Sequence, residues 1–355
     1  SHLCDCPTIG ADYSTVGLSD IDFGRTYRYW WPLPRLSDNP QGRKNVRTSP
    51  HGMARTAFVS MTLICLLSAI AGSPNERSEP ASPHHSDMMV AAYLPEWRYE
   101  GASWSDICSV VTHLILFSIE VLPTGALSAL DRMPRKELQQ QARAAADETG
   151  TKLLICVGGN GRSAGFSSAV ATAKSRRRFI KSLVQLCEKE GLDGVDLNWE
   201  YPGYQFGSGY QAQAAVDKDY RGLFLLMREL REALSASSRV LTMAYYPDGR
   251  QERLLMEGGA PQWVDAMHMM AYDQGGKHST EEFGLQVMRQ GAELLPPHKV
   301  TVGLPFYGRH VRTGDWKSYE DIVQWGGLAP SEDEARGYYF NGAELIARKV
   351  EQVAG

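Results

Sequence analysis

Asp193, Asp196, Asn198 and Glu200 fall within eight residues of one another, in the stretch Asp193-Gly-Val-Asp196-Leu-Asn198-Trp-Glu200. Carboxyl groups at such spacing can trade protons with a bound molecule if the backbone holds them together. Val195, Leu197 and Trp199 alternate with the polar residues, and side chains alternate across a strand. Asp196, Asn198 and Glu200 therefore share one face. Polar side chains on an inward face are costly unless hydrogen-bonded, so the strand predicts a satisfied polar interior with Glu200 at its C-terminal end. Other residues able to do chemistry close later apolar runs: Met270, Tyr272 and Asp273 in one case, Tyr307 and Arg309 in another.

The elements that must position these residues begin after a Pro/Ser-rich stretch, Ser73 to Asp87, which lacks apolar periodicity and reads as a linker. From Met88 onward, short apolar runs alternate with helical stretches, the pattern of parallel strands joined by crossover helices. Strands are expected at Met89 to Tyr93, Thr112 to Phe117, Lys152 to Val157, Gly194 to Asn198, Val240 to Ala244, Ala266 to Met270 and Val300 to Leu304. Helices are expected at Pro134 to Glu148, Ser175 to Glu190, Tyr220 to Ser235, Glu281 to Leu294 and Gly342 to Val353. Residues 88–355 are close to the roughly 250 of a (β/α)8 TIM barrel. Seven strands are found, so the expected fold is an α/β barrel truncated at its C-terminus before the eighth strand. Glu200 then lies at the strand end where barrel active sites are assembled.

The stretch from Asp193 to Glu200 resembles the signature strand of the family-18 glycoside hydrolases, the chitinases and their relatives, which reads Asp-x-x-Asp-x-Asp-x-Glu. Lys152 to Gly159 is similar to the family's third strand, Met270 to Asp273 to its sixth, and Gly303 to Arg309 to its seventh. Tyr93 and Phe117 stand where the family places aromatics. The resemblance covers nearly all of 88–355. It implies hydrolysis of β-1,4-linked N-acetylglucosamine polymers, chitin or its oligosaccharides, by a retaining, substrate-assisted route in which the sugar's own acetamido oxygen attacks the anomeric carbon. Glu200 would be the general acid/base, with a raised pKa. Asp196 would lie beneath it as a second buried carboxyl that disfavours its ionisation, and Tyr272 would hydrogen-bond the acetamido carbonyl. Asp273 and Arg309 would hold the sugar; Met270, Tyr93, Phe117 and Tyr307 would wall it; Gly159 would let the backbone approach it closely. No cofactor or metal is implied, and the chain would act as a monomer.

Three departures from the family pattern carry consequences. Asn198 replaces the usual second Asp; its amide oxygen can still accept from the acetamido N–H but supplies no negative charge. The positive intermediate loses stabilisation on the order of a few kcal/mol, and Glu200, one carboxylate poorer in neighbours, has a lower pKa. Cys156 and Asn160 replace a Ser and a Trp at the third strand. The eighth strand, with its Trp, is missing. The segment Arg309 to Asn341 is shorter than the α+β insertion of many relatives, which predicts a shallow groove; Trp316, Tyr319, Trp325, Tyr338 and Tyr339 within it could stack on sugars or pack.

Composition excludes several other classes. With 37 basic and 41 acidic residues the net charge is -4, without the basic surplus that non-specific nucleic-acid binding needs. Gly159 to Ala164 matches a G-x-G-x-x-A dinucleotide loop, but the acidic residue that such a loop needs about 20 positions on, at the end of the next strand, comes far too late, since that strand ends at Asn198 and Glu200. The run Lys174 to Arg178 opens a helix and predicts a solvated face. His84-His85 lacks partner ligands, and only Cys108, Cys156 and Cys187 follow residue 71, without zinc or disulfide spacing. Met53 starts a stretch with Arg55, an apolar run Ala57 to Leu67 and a small-x-small site at Ala69 to Ala71, the layout of a secretory signal. Residues 53–71 are therefore expected to be a signal peptide, 1–52 an upstream extension, 72–87 a disordered linker and 88–355 the barrel, in a secreted protein whose mature form has no integral membrane span. Two further readings share the barrel: a weak or inactive chitin-binding lectin, and an endo-β-N-acetylglucosaminidase acting on N-glycans.

Overall fold

A computed structural model describes residues 88–354. The expected extension, signal peptide and linker lie outside the described residues. Seven strands form one parallel sheet in chain order: β1 (Ala91–Pro95), β2 (His113–Val121), β3 (Lys152–Gly158), β4 (Gly194–Asn198), β5 (Val240–Tyr245), β6 (Ala266–Met269) and β7 (Val300–Val302). Every expected strand is present. Among the described residues β1 and β7 each pair on one side only, so the sheet is a TIM barrel opened at the position of an eighth strand.

Alternation divides the side chains into two sets. Leu114, Leu116, Leu153, Ile155, Val195, Leu197, Leu241, Met243, Met267 and Met269 point outward into the main core beneath the helices. Ile115, Leu154 and Cys156 point inward and pack with Tyr93, Phe117 and Val240. Asp196 shares that interior, fully buried, and is satisfied there as the sequence predicts. It accepts from Thr242 Oγ1 at 2.7 Å and from Tyr93 Oη at 3.0 Å.

The helices are α1 (Trp104–Val110), α2 (Lys136–Thr149), α3 (Phe166–Ala171), α4 (Ala173–Glu190), α5 (Gln213–Ser235), α6 (Arg250–Glu257), α7 (Glu281–Leu294), α8 (Tyr319–Val323) and α9 (Ala343–Ala354). Thr172 caps α4 by accepting from Ser175 N, and Thr280 caps α7 by accepting from Phe283 N; each satisfies a donor that the first helical turn leaves unpaired. The basic run that opens α4 is solvated except at Arg176, which is buried and clamped on the Glu229 carboxylate at 2.8 and 2.9 Å. No helix among the described residues is long and apolar enough to cross a membrane.

After β7 the chain forms a small α+β unit. Strands β8 (Tyr307–His310), β9 (Trp316–Ser318), β10 (Glu334–Ala335) and β11 (Tyr338–Tyr339) make an antiparallel sheet in the order β9-β8-β11-β10, with α8 between β9 and β10. The short segment thus builds a compact wall of its own. Within it, Trp316 is 59 % exposed while Tyr339 is buried.

Candidate active site

Glu200 lies two residues past the end of β4, with its backbone N–H donating to Ser163 Oγ at 3.0 Å. Burial raises its pKa from 4.5 to about 7. A hydrogen bond from the Asn198 carboxamide pulls the other way by favouring the ionised form, and the negative charge of Asp273 pushes it up again. This corrects one expectation: the neighbouring charge that opposes ionisation comes from Asp273, whereas Asp196 is turned to Tyr93 and Thr242. The carboxyl is protonated in a large fraction of molecules at neutral pH, the condition a general acid requires.

Asn198 lies one step deeper on the same face and is buried. Its Oδ1 has no hydrogen-bond partner among the described residues. A buried amide oxygen without a donor is destabilising by about 1–3 kcal/mol, and it belongs to the carboxamide that hydrogen-bonds Glu200. It is an acceptor ready for an N–H from a bound molecule.

Tyr272 and Asp273 follow β6 and bring the second wall. Burial, and then the charges of Glu200 and Asp273, push the Tyr272 phenol well above its ordinary pKa, so it stays a hydroxyl donor. Asp273 adopts a left-handed backbone conformation, φ 64°. Its carboxylate accepts from Arg309 Nε at 2.6 Å, Arg309 Nη2 at 2.9 Å and Tyr307 Oη at 2.8 Å. Burial alone would raise its pKa, but the His278 ring 3.5 Å away and the hydrogen bonds from Arg309 and Tyr307 hold it well below the usual carboxylate range. Arg309 and Tyr307 come from β8, so the α+β unit and the barrel meet at this ion pair. Tyr307 also meets Tyr272 edge to face, ring centroids 6.0 Å apart.

The remaining expected residues are placed as follows. Tyr93 contacts Phe117 edge to face at 6.2 Å and reaches Asp196 with its hydroxyl. Met270 is buried at the end of β6. Gly159 has φ 101°, and a Cβ there would lie 2.4 Å from the Phe117 ring. The side chain that demands the glycine is therefore Phe117. Cys156 is buried beside Asp196.

Sequence reading misses several residues that build the surroundings of the site. Thr242, inward on β5, supplies the second hydrogen bond to Asp196. Tyr201, Tyr204, Phe206, Tyr210 and Tyr246 form a chain of ring contacts 5.3–6.0 Å apart. The hairpin that carries three of them pairs Tyr204 with Tyr210 directly after the acid, and Phe206 at its tip is 54 % exposed. Four aromatics in the ten residues after Glu200 were the available signal. Arg162 is a further case: it pairs with Glu96 at 2.6 Å, donates to Ser118 Oγ at 3.0 Å and lies over the Phe117 ring.

An inward strand ending in a partly buried acid, with an acceptor beside it and a Tyr-Asp pair on the sixth strand, is the arrangement that the four motifs implied. The family pattern described as Glycosyl hydrolases family 18 matches residues 89–347. The chain belongs to glycoside hydrolase family 18. Among curated relatives it is 26 % identical over 344 residues to Probable chitinase 2 of Drosophila melanogaster, covering 82 % of this chain and 65 % of that one. The chain thus spans less than two thirds of that relative's length. Among solved structures, a chitinase from Bacteroides thetaiotaomicron superposes with a TM-score of 0.62 at 22 % identity, over 75 % of this chain and 85 % of that one. The chitinase-like agglutinin RobpsCRA of Robinia pseudoacacia superposes with a TM-score of 0.57 at 23 % identity, over 74 % and 90 %. At these identities the likeness of the family-18 chain to both structures is one of fold.

Proposed function

We propose that this family-18 protein hydrolyses β-1,4-linked N-acetylglucosamine polymers, chitin or its oligosaccharides, with retention of configuration. The observation that carries the reading is the pairing of a carboxyl whose pKa is about 7 with an unpartnered buried acceptor, Asn198 Oδ1, on the same strand face. Asn198 accepts the acetamido N–H and turns the acetamido oxygen towards the anomeric carbon. That oxygen attacks while the glycosidic C–O bond breaks, and the Glu200 proton passes to the leaving oxygen. The Tyr272 hydroxyl donates to the acetamido oxygen and positions it. Water, deprotonated by the Glu200 carboxylate, then attacks the anomeric carbon from the vacated face; the oxazolinium ring opens and Glu200 regains its proton. Because Asn198 is neutral, the cationic ring is less stabilised than beside a carboxylate, and turnover is slow. Asp273, from the loop after β6, and Arg309, from the α+β unit, fix the sugar between them. The apolar run after Met53 supports secretion, so we propose that the protein acts outside the cell; we propose also that it acts as a monomer.

A chitin-binding lectin is the second reading, favoured by one observation: the same fold is used by an agglutinin. Glu200→Gln beside the wild type, assayed on N-acetylglucosamine oligosaccharides and on a high-mannose glycopeptide, separates the readings. Wild-type hydrolysis of the oligosaccharides that falls by 1,000-fold or so in the variant, with binding retained, is expected. Tight binding without turnover by the wild type means a lectin, and cleavage of the glycopeptide alone means an N-glycan hydrolase.

A further inference from the structure

Lys349, on α9, has no role in the chemistry above and is only 2 % exposed. Its ammonium donates three hydrogen bonds of 2.9 Å, to the Ser279 carbonyl, Ser279 Oγ and Asn341 Oδ1. None of the acceptors is a carboxylate. Burial lowers its pKa from 10.5 to about 8, against the opposing charges of Asp333, Glu281 and Glu282. Enclosing a cation among neutral oxygens is unfavourable unless its bonds are well made, and an apolar side chain would fill the contact between α9 and α7, where the Lys349 stem faces Gly284. Packing therefore does not explain the charge. Its three donors do: two end on one residue of one loop, Ser279, and the third on Asn341, which itself donates to the Ser279 carbonyl.

That point is the base of the loop carrying Tyr272 and Asp273. Ser279 Oγ donates to the Ala271 carbonyl at 3.1 Å, and Asn341 Nδ2 donates to the Ser279 carbonyl at 2.8 Å. Ser279 and Asn341 are fully buried. The chain thus leaves β6 at Ala271, passes Tyr272 and Asp273, and returns to Ala271 at Ser279.

We propose that Lys349 is a positioning residue, which pins the Ala271–Ser279 loop through Ser279 and so holds Tyr272 and Asp273 against Glu200. The inference rests on the reading of Glu200 as the acid. Groups that face Glu200 electrostatically are Asp273, Tyr272, Tyr201 and Cys156. Of these Asp273 raises its pKa, so a slack loop weakens that push and lets Glu200 ionise at lower pH.

The test uses the full chain with Lys349→Met and Ser279→Ala, which keeps the Ser279 carbonyl but removes its hydroxyl. On N-acetylglucosamine oligosaccharides, kcat should fall by about fivefold to twentyfold in Lys349→Met with KM changed less than twofold, and the alkaline limb of kcat should move down by a few tenths of a pH unit. Amide hydrogen exchange across residues 271–280 should quicken in both variants. Should Lys349→Met fail to fold, Ser279→Ala carries the same readouts with smaller amplitude. Wild-type kcat, limb and exchange in the folded variants would overturn the inference. If the wild type itself shows no turnover, the reading of Glu200 falls, and the exchange rates alone decide for or against the pinned loop.

Discussion

At the residue scale, one substitution within the signature strand decides how well the site can work. Asn198 donates to Glu200 and leaves its own oxygen unpaired, so in the proposed mechanism it orients the substrate and supplies no charge. Asn198→Asp restores a carboxylate two positions before the acid. The alkaline limb of kcat should then rise by about one pH unit, and kcat by roughly 10- to 100-fold; an unmoved limb in a pH–rate profile would sink this account. The same burial that tunes Glu200 also weakens the fold. Its folded pKa of about 7 exceeds the ordinary 4.5, so between those values the native state keeps a proton that the unfolded chain releases. Stability falls across that window as pH rises, and the full cost of at most roughly 3–4 kcal/mol is present above pH 7. Glu200→Gln should therefore melt at a higher temperature than the wild type at pH 8, with the difference vanishing near pH 4.

Among the elements, those with a clean apolar period and a cap were the legible ones. Strand β4 and helix α7 have the bounds expected from sequence, the first from strict alternation, the second from the Thr280 cap and two acidic residues in its first turn. Helix α5 starts seven residues before its expected start. The segment Gln213 to Asp219 has good helix formers but no apolar stripe, and a tertiary contact anchors it: buried Asp219 accepts from Gly203 N at 3.0 Å and Ser167 Oγ at 2.5 Å. The site was legible to the same degree. Parity along β4 placed Asp196, Asn198 and Glu200 on one face, but Thr242 carried no signal as a partner of Asp196, since pairing across a barrel interior depends on register between strands. The aromatic hairpin is the element with the most testable consequence. Phe206→Ala should raise KM for longer oligosaccharides by about 3- to 10-fold, the worth of one ring contact, with little change for a disaccharide substrate; equal effects on both would remove the hairpin from the groove.

For the molecule as a whole, charge and architecture set different expectations. A net charge of -4 over the chain gives no steering field for a neutral sugar polymer, so kcat/KM should change less than about twofold between low and high salt. A steep salt dependence in steady-state assays would instead indicate a charged ligand. Architecture adds a second dependence, since the pair proposed to hold the sugar is split: Asp273 belongs to a barrel loop, Arg309 and Tyr307 to the small antiparallel sheet. Swinging that sheet away removes two of the grips on Asp273 while leaving the parallel strands intact, and such partial openings need less free energy than global unfolding. Heat or limited proteolysis would then extinguish ligand affinity while the far-ultraviolet spectrum still reads native, and the working lifetime of the site would be that of a hinge.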